Sequence, residues 1–358
     1  MIEPQYLILA DNEFGIMTSK TANAVIRYQP SRVVAVLDRQ LVGKTSDEVL
    51  GFGGAIPVIG SVADGLARGA NAVLIGIAPQ GGLLPDEWRG WVRQAIEGGC
   101  DVVSGLHAFL ADDPELAGTA RRHGRTILDV RRPPADLPVA TGLARDVEPL
   151  VVLTVGTDCN VGKMTAQLQL VDQLNARGLR TRFAATGQTG ILIEGWGTAV
   201  DAVVADFIAG ATEQLVLRGA ADADIVLVEG QGSINHPGYS GVTLGLLHGA
   251  CPDAMILCHQ PSRQFLGDYR AGSWVKIPPL CQYIDWYEGL AGAVHPGKVI
   301  GIALNTFDLG DDEARAACDA ATRETGLPAT DPVRFDARTL VDAIADSQDA
   351  KRKRKHAT

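Results

Sequence analysis

Residues 151–165, VVLTVGTDCNVGKMT, run an apolar segment into a glycine turn that ends in Gly162-Lys163. Such a turn lets consecutive backbone N–H groups converge on phosphate oxygens. The helix that follows adds the positive end of its dipole, and Lys163 adds a full charge. The candidate ligand contacts are Gly156, Thr157, Asp158, Asn160, Val161, Gly162, Lys163, Met164 and Thr165. Two departures from the usual GxxxxGK[ST] pattern matter. The interval from Gly156 to Gly162 is longer by a single residue, which puts Thr157 in the place of the first loop glycine. Met164 stands where a magnesium-binding hydroxyl is usual, and Thr165 is turned ~100° around the helix from it. An anion cradle without its usual metal seat suits a diphosphate that needs no metal at least as well as ATP. Asp158 or Glu229 remain the candidate ligands if Mg2+ is used.

A second set of residues carries acid–base and polar chemistry. In ADIVLVEGQGSINHPGYSG, residues 223–241, Glu229 closes a buried apolar run, where it can serve as a metal ligand, a general base or a sheet-end acid. Gln231 follows between glycines that permit close approach of a ligand, and His236 and Tyr239 lie on the loop beyond. A histidine's ordinary pKa lets it accept a proton near neutrality, which makes His236 a second candidate base. Asp206 sits at a probable helix start, five residues after Asp201, and either faces the site or complements the helix dipole. Gln188 in TGQTGILIEGWG lies after the next strand as a site liner. His259 and Arg263 leave a strand in CHQPSRQF, where an arginine can grip a carboxylate in bidentate fashion. Asn305 ends GIALNT, at a position where many P-loop proteins contact a nucleotide base.

These residues require sheets that end at one edge. Short apolar runs alternate with helix-length amphipathic segments throughout: YLILA, VVAVLD, AVLIGIA, DVVSGL and TILDV, then LVVLTVG, RTRFAATG, DIVLVEG, DAMILCH and KVIGIALN. Strands this apolar face water on neither side, so the expected class is α/β with parallel sheets covered by helices. The proline-rich stretch RRPPADLPVATGLARDVEP, residues 131–149, breaks the rhythm and marks a boundary. The expected organisation is a Rossmann-like domain over 1–135, a linker over 136–149, a larger P-loop domain over 150–345 and a disordered basic tail over 346–358. In the first domain, GFGGAIPVIG reads as a plain turn and not as a dinucleotide fingerprint. Asp38 reads as a cap on the turn after its strand, and His107 as a structural histidine.

The chain has 358 residues, 46% hydrophobic and 21% charged, enough for two packed cores. A net charge of -10 repels nucleic acid and anionic membrane, so any anionic ligand needs a local positive site. The six cysteines form no CxxC pair, which fits reduced thiols. No apolar run approaches the ~20 residues needed to span a bilayer, and the start lacks a secretory signal. We expect a cytoplasmic, homo-oligomeric protein with a small-molecule substrate.

GTDCNVGK and VLVEGQGS resemble the loop and second acidic motif of dethiobiotin synthetase and its relatives. A closer resemblance runs over residues 1–340. It is carried by IGIAPQGGLLPDEW, SGLHAFLADDPEL, DVRRPP, VGTDCNVGKMT, DAVVADFIAGATE, EGQGSINHPGYSGVT, CHQPSR, IPPL, GIALNT and DPVRF. On these segments the chain is similar to a P-loop family that includes D-glutamate N-acetyltransferase. The resemblance implies a Rossmann-like domain joined to a dethiobiotin-synthetase-like domain, acetyl-CoA as donor and D-glutamate as acceptor. The alternative is a Mg-ATP-dependent ligase or kinase of the dethiobiotin synthetase type.

Overall fold

A computed structural model of the protein describes residues 3–16, 18–77, 82–267 and 273–356. Part of IGIAPQGGLLPDEW, residues 78–81, and the last two residues of the basic tail lie outside the described residues. The chain forms two compact units, Met1–Pro133 with Ile191–Gly195, and Pro134–Gly190 with Trp196–Thr358.

The first unit runs β1 (Tyr6–Leu9), α1 (Lys20–Tyr28), β2 (Val33–Leu37), α2 (Ser46–Leu50), β3 (Val58–Ile59), α3 (Val62–Ala67), β4 (Ala72–Ile75), α4 (Asp86–Glu97), β5 (Asp101–Ser104), α5 (Pro114–His123) and β6 (Ile127–Asp129). Its strands form one sheet in the order β3-β2-β1-β4-β5-β6, and every pairing is parallel. This is the doubly wound Rossmann order, which reverses direction between β1 and β4. Every residue of β1 and β4 is buried, as expected of strands covered on both faces. Asp38 is buried and accepts from the N–H groups of Phe14 and Gln40, so it caps the turn after β2. His107 Nδ1 lies 3.4 Å from Nη2 of the buried Arg131.

The second unit runs β7 (Leu150–Gly156), α6 (Lys163–Ala176), β8 (Thr181–Ala184), the start of α7 (Gln188–Glu194, which groups with the first unit from Ile191 onward), α8 (Ala205–Ala220), β9 (Ile225–Val228), α9 (Ser240–Ala250), β10 (Ala254–His259), α10 (Leu280–Gly292), β11 (Lys298–Leu304), α11 (Asp311–Thr325), β12 (Ala329–Thr330) and α12 (Arg338–His356). Its parallel sheet has the order β12-β11-β10-β7-β9-β8. The central strand β7 is buried at every residue and pairs with β9 on one side and β10 on the other. The chain crosses β7 between β9 and β10, so the carboxyl ends of these three strands border a crevice at a topological switch point.

The basic end is not the expected disordered tail. Helix α12 continues through it to His356 because its inner face has something to pack and bond. Leu340, Val341 and Ile344 are fully buried. The aliphatic stem of Lys351 is also buried, and its ammonium donates to Pro149 O at 2.8 Å and to the Asp253 carboxylate at 2.6 Å. Arg352 pairs with Asp224 at 2.8 Å. The expected linker is also partly ordered, since Thr141 N and Leu143 N donate to the buried Glu213 carboxylate.

Candidate active site

The loop after β7 enters α6 through Gly162, whose φ of 92° is a left-handed conformation that suits glycine. Asn160 is also left-handed, with φ 56°, a conformation asparagine tolerates better than most residues. No side chain caps the N-terminus of α6, and its first turn carries no acid. The N–H groups of Lys163, Met164 and Thr165 therefore precede any intrahelical acceptor and open toward a ligand. Val161 is buried beneath the turn, and Asn305 lies against Gly162, where a Cβ would come within 3.5 Å of it.

Lys163 does not extend freely into solvent. Its side chain is buried, and Nζ donates to Asp158 O and Gly232 O, each at 2.8 Å. Burial pushes its pKa below the ordinary lysine value, opposed by the neighbouring thiols and carboxylates. The ammonium thus ties the phosphate-type loop to the segment after β9. An incoming anion, a stronger acceptor than either carbonyl, can replace them as the partner of the ammonium.

Glu229 stands just past β9 and is buried. Its Oε2 accepts from Thr186 N at 2.9 Å and from Gly187 N at 3.1 Å. Its Oε1 has no hydrogen-bond partner among the described residues. Gly190 is required here, because a Cβ on it would fall 2.6 Å from Oε2. Burial raises the Glu229 pKa from the ordinary carboxylate range to about 7, against the lowering effect of the two N–H groups and of Lys163. A carboxylate fixed through one oxygen, with the other open and a pKa near neutrality, has the properties of a general base. Gln231 Nε2 donates to Thr186 O at 2.5 Å and so braces the segment that holds Glu229.

The other expected residues fall into different roles. Arg263 does not stand ready for an acceptor carboxylate: Nη1 is 2.6 Å from Asp158 Oδ2 and 2.9 Å from Cys159 O, and Nε donates to Gln260. Asp158 is fully buried, with Cys159 N on Oδ1 and Gly267 N on Oδ2 besides the arginine. The single positive charge of the guanidinium already balances this carboxylate, and three donors engage its two oxygens. Asp158 is therefore committed to these donors and not to magnesium in this arrangement, and Met164 supplies no hydroxyl in its place. His259 Nδ1 lies 2.9 Å from Thr157 Oγ1, and burial beside Arg263 pushes its pKa down to about 4, so it is a neutral buttress of the loop. Asp206 is exposed in the first turn of α8, and no hydrogen bond or ion pair joins it to the loop mouth among the described residues. Gln188 is the half-buried first residue of α7, directly after Gly187.

His236 is buried against Tyr239, with ring centroids 4.5 Å apart. A ring nitrogen of His236, Cys159 Sγ and an Asp158 oxygen lie within 4.8 Å of one another, so the histidine reaches the phosphate-type loop. Its Nδ1 accepts from Gly238 N at 3.1 Å. That bond places the proton of the neutral ring on Nε2.

Two contributors were missed in the sequence. Tyr287 donates its hydroxyl to Gly156 O at 2.7 Å and accepts from Ile234 N at 3.1 Å; Tyr283 donates to Thr157 O at 2.9 Å. Both rise from α10 and hold the carbonyls at the loop entrance. Their spacing of one helical turn reads as an ordinary core stripe, and both are indeed fully buried.

Comparison with known proteins places the chain among relatives of matching length. Residues 39–133 match a Rossmann-like domain of unknown function, DUF1611_N, and residues 138–341 match the P-loop domain of unknown function, DUF1611_C. A protein from Tritonibacter scottomollicae named D-glutamate N-acetyltransferase is 40% identical over 349 residues, 96% of this chain and 99% of the relative. Another of that name from a Pseudoalteromonas species is 36% identical over 282 residues, 78% of this chain and 83% of the relative. The crystal structure of a DUF1611 family protein from Anabaena variabilis superposes with a TM-score of 0.91 at 41% identity, covering 96% of this chain and 99% of that one. With both domains matched and this identity sustained over nearly its whole length, the chain belongs to the DUF1611 family.

Proposed function

We propose that the second unit is an N-acyltransferase that moves an acetyl group from acetyl-CoA to the amine of D-glutamate. The observation that carries this reading is Glu229: a buried carboxylate with one anchored and one open oxygen, at the same sheet edge as an uncapped helix N-terminus that lacks a metal-binding hydroxyl. The names of the two relatives supply the transferred acetyl group and the acceptor; coenzyme A as its carrier is our reading of an anion-binding loop that lacks the usual metal-binding hydroxyl.

In this reading the first-turn amides of α6 and Lys163 hold the diphosphate of the donor. The thioester is already activated, so the protein must chiefly align donor and acceptor, remove a proton from the amine and stabilise the developing oxyanion. Glu229 Oε1 takes the proton. The amine nitrogen adds to the carbonyl carbon and the carbonyl oxygen takes the charge; when that pair returns, the carbon–sulfur bond breaks, and the electron pair leaves on the coenzyme A sulfur, which takes up the proton held by Glu229 to give the free thiol. Cys159 has no required part as an acyl carrier.

Purified protein incubated with acetyl-CoA should form N-acetyl-D-glutamate and free thiol, with D-glutamate preferred over L-glutamate. No product with any acidic amino acid would overturn the reading. Lys163→Ala should retain the fold and lose donor binding; unchanged donor affinity would remove the loop from the site.

A further inference from the structure

The Nε2 atom of His236 is buried and has no hydrogen-bond partner among the described residues, in a residue 1% exposed. Leaving such a group unpaired costs about 1–3 kcal/mol, so native folds rarely do so without a use for it. The ring is held from several directions. Its backbone N–H donates to Ser233 O at 3.1 Å, Tyr239 lies against its face, and its carbonyl accepts from Tyr239 N and Ser240 N at the start of α9. The Gly238 N–H directed at Nδ1 settles the tautomer. If Nε2 were the acceptor in the neutral ring, the proton would move to Nδ1 and two N–H groups would face each other. The free nitrogen is therefore a donor, in a ring that reaches to within 4.8 Å of Cys159 Sγ and the Asp158 carboxylate. Asp158 already accepts from Cys159 N, Arg263 and Gly267 N.

We propose that His236 is a neutral, pre-oriented hydrogen-bond donor to an anionic oxygen of the bound substrates, not a base. The partner is either a phosphate oxygen of the donor substrate or the oxyanion that forms as the amine attacks the thioester carbonyl. Only the identity of this oxygen rests on the acyl-transfer reading; the protonation pattern of the ring does not. The division of labour is then clear. Glu229 Oε1 accepts the proton from the amine, and His236 Nε2–H meets an anionic oxygen of the donor, either the oxygen that gains charge in the step or one that fixes the donor's phosphate.

The direct test is the tautomer itself. In full-length protein labelled with 15N-histidine, the His236 signals, assigned by their loss in His236→Gln, should show a protonated Nε2 and an unprotonated Nδ1 at neutral pH. The reverse pattern overturns the proposal, whether or not any acetyl transfer is found. Kinetics then locate the oxygen. His236→Phe keeps a ring but no donor, and His236→Gln keeps an N–H donor. A fall in kcat of about 100–1,000-fold in the Phe variant, with part of it recovered in the Gln variant, assigns the oxyanion. A rise in the donor Kd with kcat retained, again smaller for Gln, assigns a phosphate oxygen. Wild-type kinetics in the Phe variant would overturn the proposal. So would equal losses in both variants accompanied by a changed acid limb of the pH–rate profile, because that pattern belongs to a base.

Discussion

At the scale of single residues, the site is set by what each polar atom already touches. Glu229 illustrates how burial and anchoring combine, and its protonation gives two linked expectations. Its pKa is raised by burial to about 7 in the folded protein, above the ordinary glutamate value it regains on unfolding. Between those values the folded chain holds a proton that the unfolded chain has released, so stability falls as pH rises through this window. Glu229→Gln keeps an oxygen to accept from Thr186 and Gly187 but removes the titration. We expect the variant to be more stable than wild type by about 1–3 kcal/mol above pH 7 and equal to it near pH 4, measured by urea unfolding. The same substitution should lower kcat by about 100–10,000-fold. In the wild-type protein, activity should rise with pH through about 7 as the carboxylate ionises. A variant less stable at high pH would show that Glu229 is a structural acid. The carboxylate's position after an apolar strand made it visible in the sequence. The engagement of Arg263 with Asp158 did not show there, because an ion pair between residues this far apart in the chain depends on how two loops meet.

At the scale of elements, the loop is held less by its own glycines than by α10. Ten of the twelve strands among the described residues coincide with apolar runs in the sequence, because strands buried on both faces have little choice of composition. Strands β3 and β12, two residues each, are too short to leave a periodic signal. The end of the chain was misjudged for a different reason. A run of lysines and arginines reads as solvated charge, yet Lys351 buries its stem and finds Asp253, a partner nearly one hundred positions away. Tyr287 was equally hidden, since a phenol at core spacing gives no indication that its hydroxyl bridges two loops. That bridge predicts a specific defect. Tyr287→Phe leaves the ring in place but deprives Gly156 O of a donor and Ile234 N of an acceptor. We expect a loss of about 1–3 kcal/mol in stability and a higher KM for the donor, with a smaller effect on kcat. A fall in kcat alone, with stability and KM unchanged, would mean the hydroxyl acts in chemistry and not in positioning the loop.

At the scale of the whole molecule, a net charge of -10 surrounds a site proposed to take an anionic donor and an acidic acceptor. The general field opposes both, so binding must be local, through the first turn of α6 and Lys163. Such binding is readable as stabilisation, because a ligand held only by the folded state adds about 2.7 kcal/mol at one hundred times its Kd. Coenzyme A without added metal should therefore raise Tm. It should also slow hydrogen exchange over residues 156–165 and 229–239 of the second unit, while exchange in Met1–Pro133 stays unchanged. Lys163→Ala should remove both effects. The comparison with Mg-ATP is the informative one. Met164 and the Arg263-bound Asp158 leave few oxygens for a magnesium ion, so Mg-ATP should stabilise less than coenzyme A at equal concentration. If Mg-ATP stabilised more, and did so only with magnesium present, Arg263 would have to release Asp158 on binding. The site would then belong to nucleotide-driven carboxylate activation instead of acyl transfer.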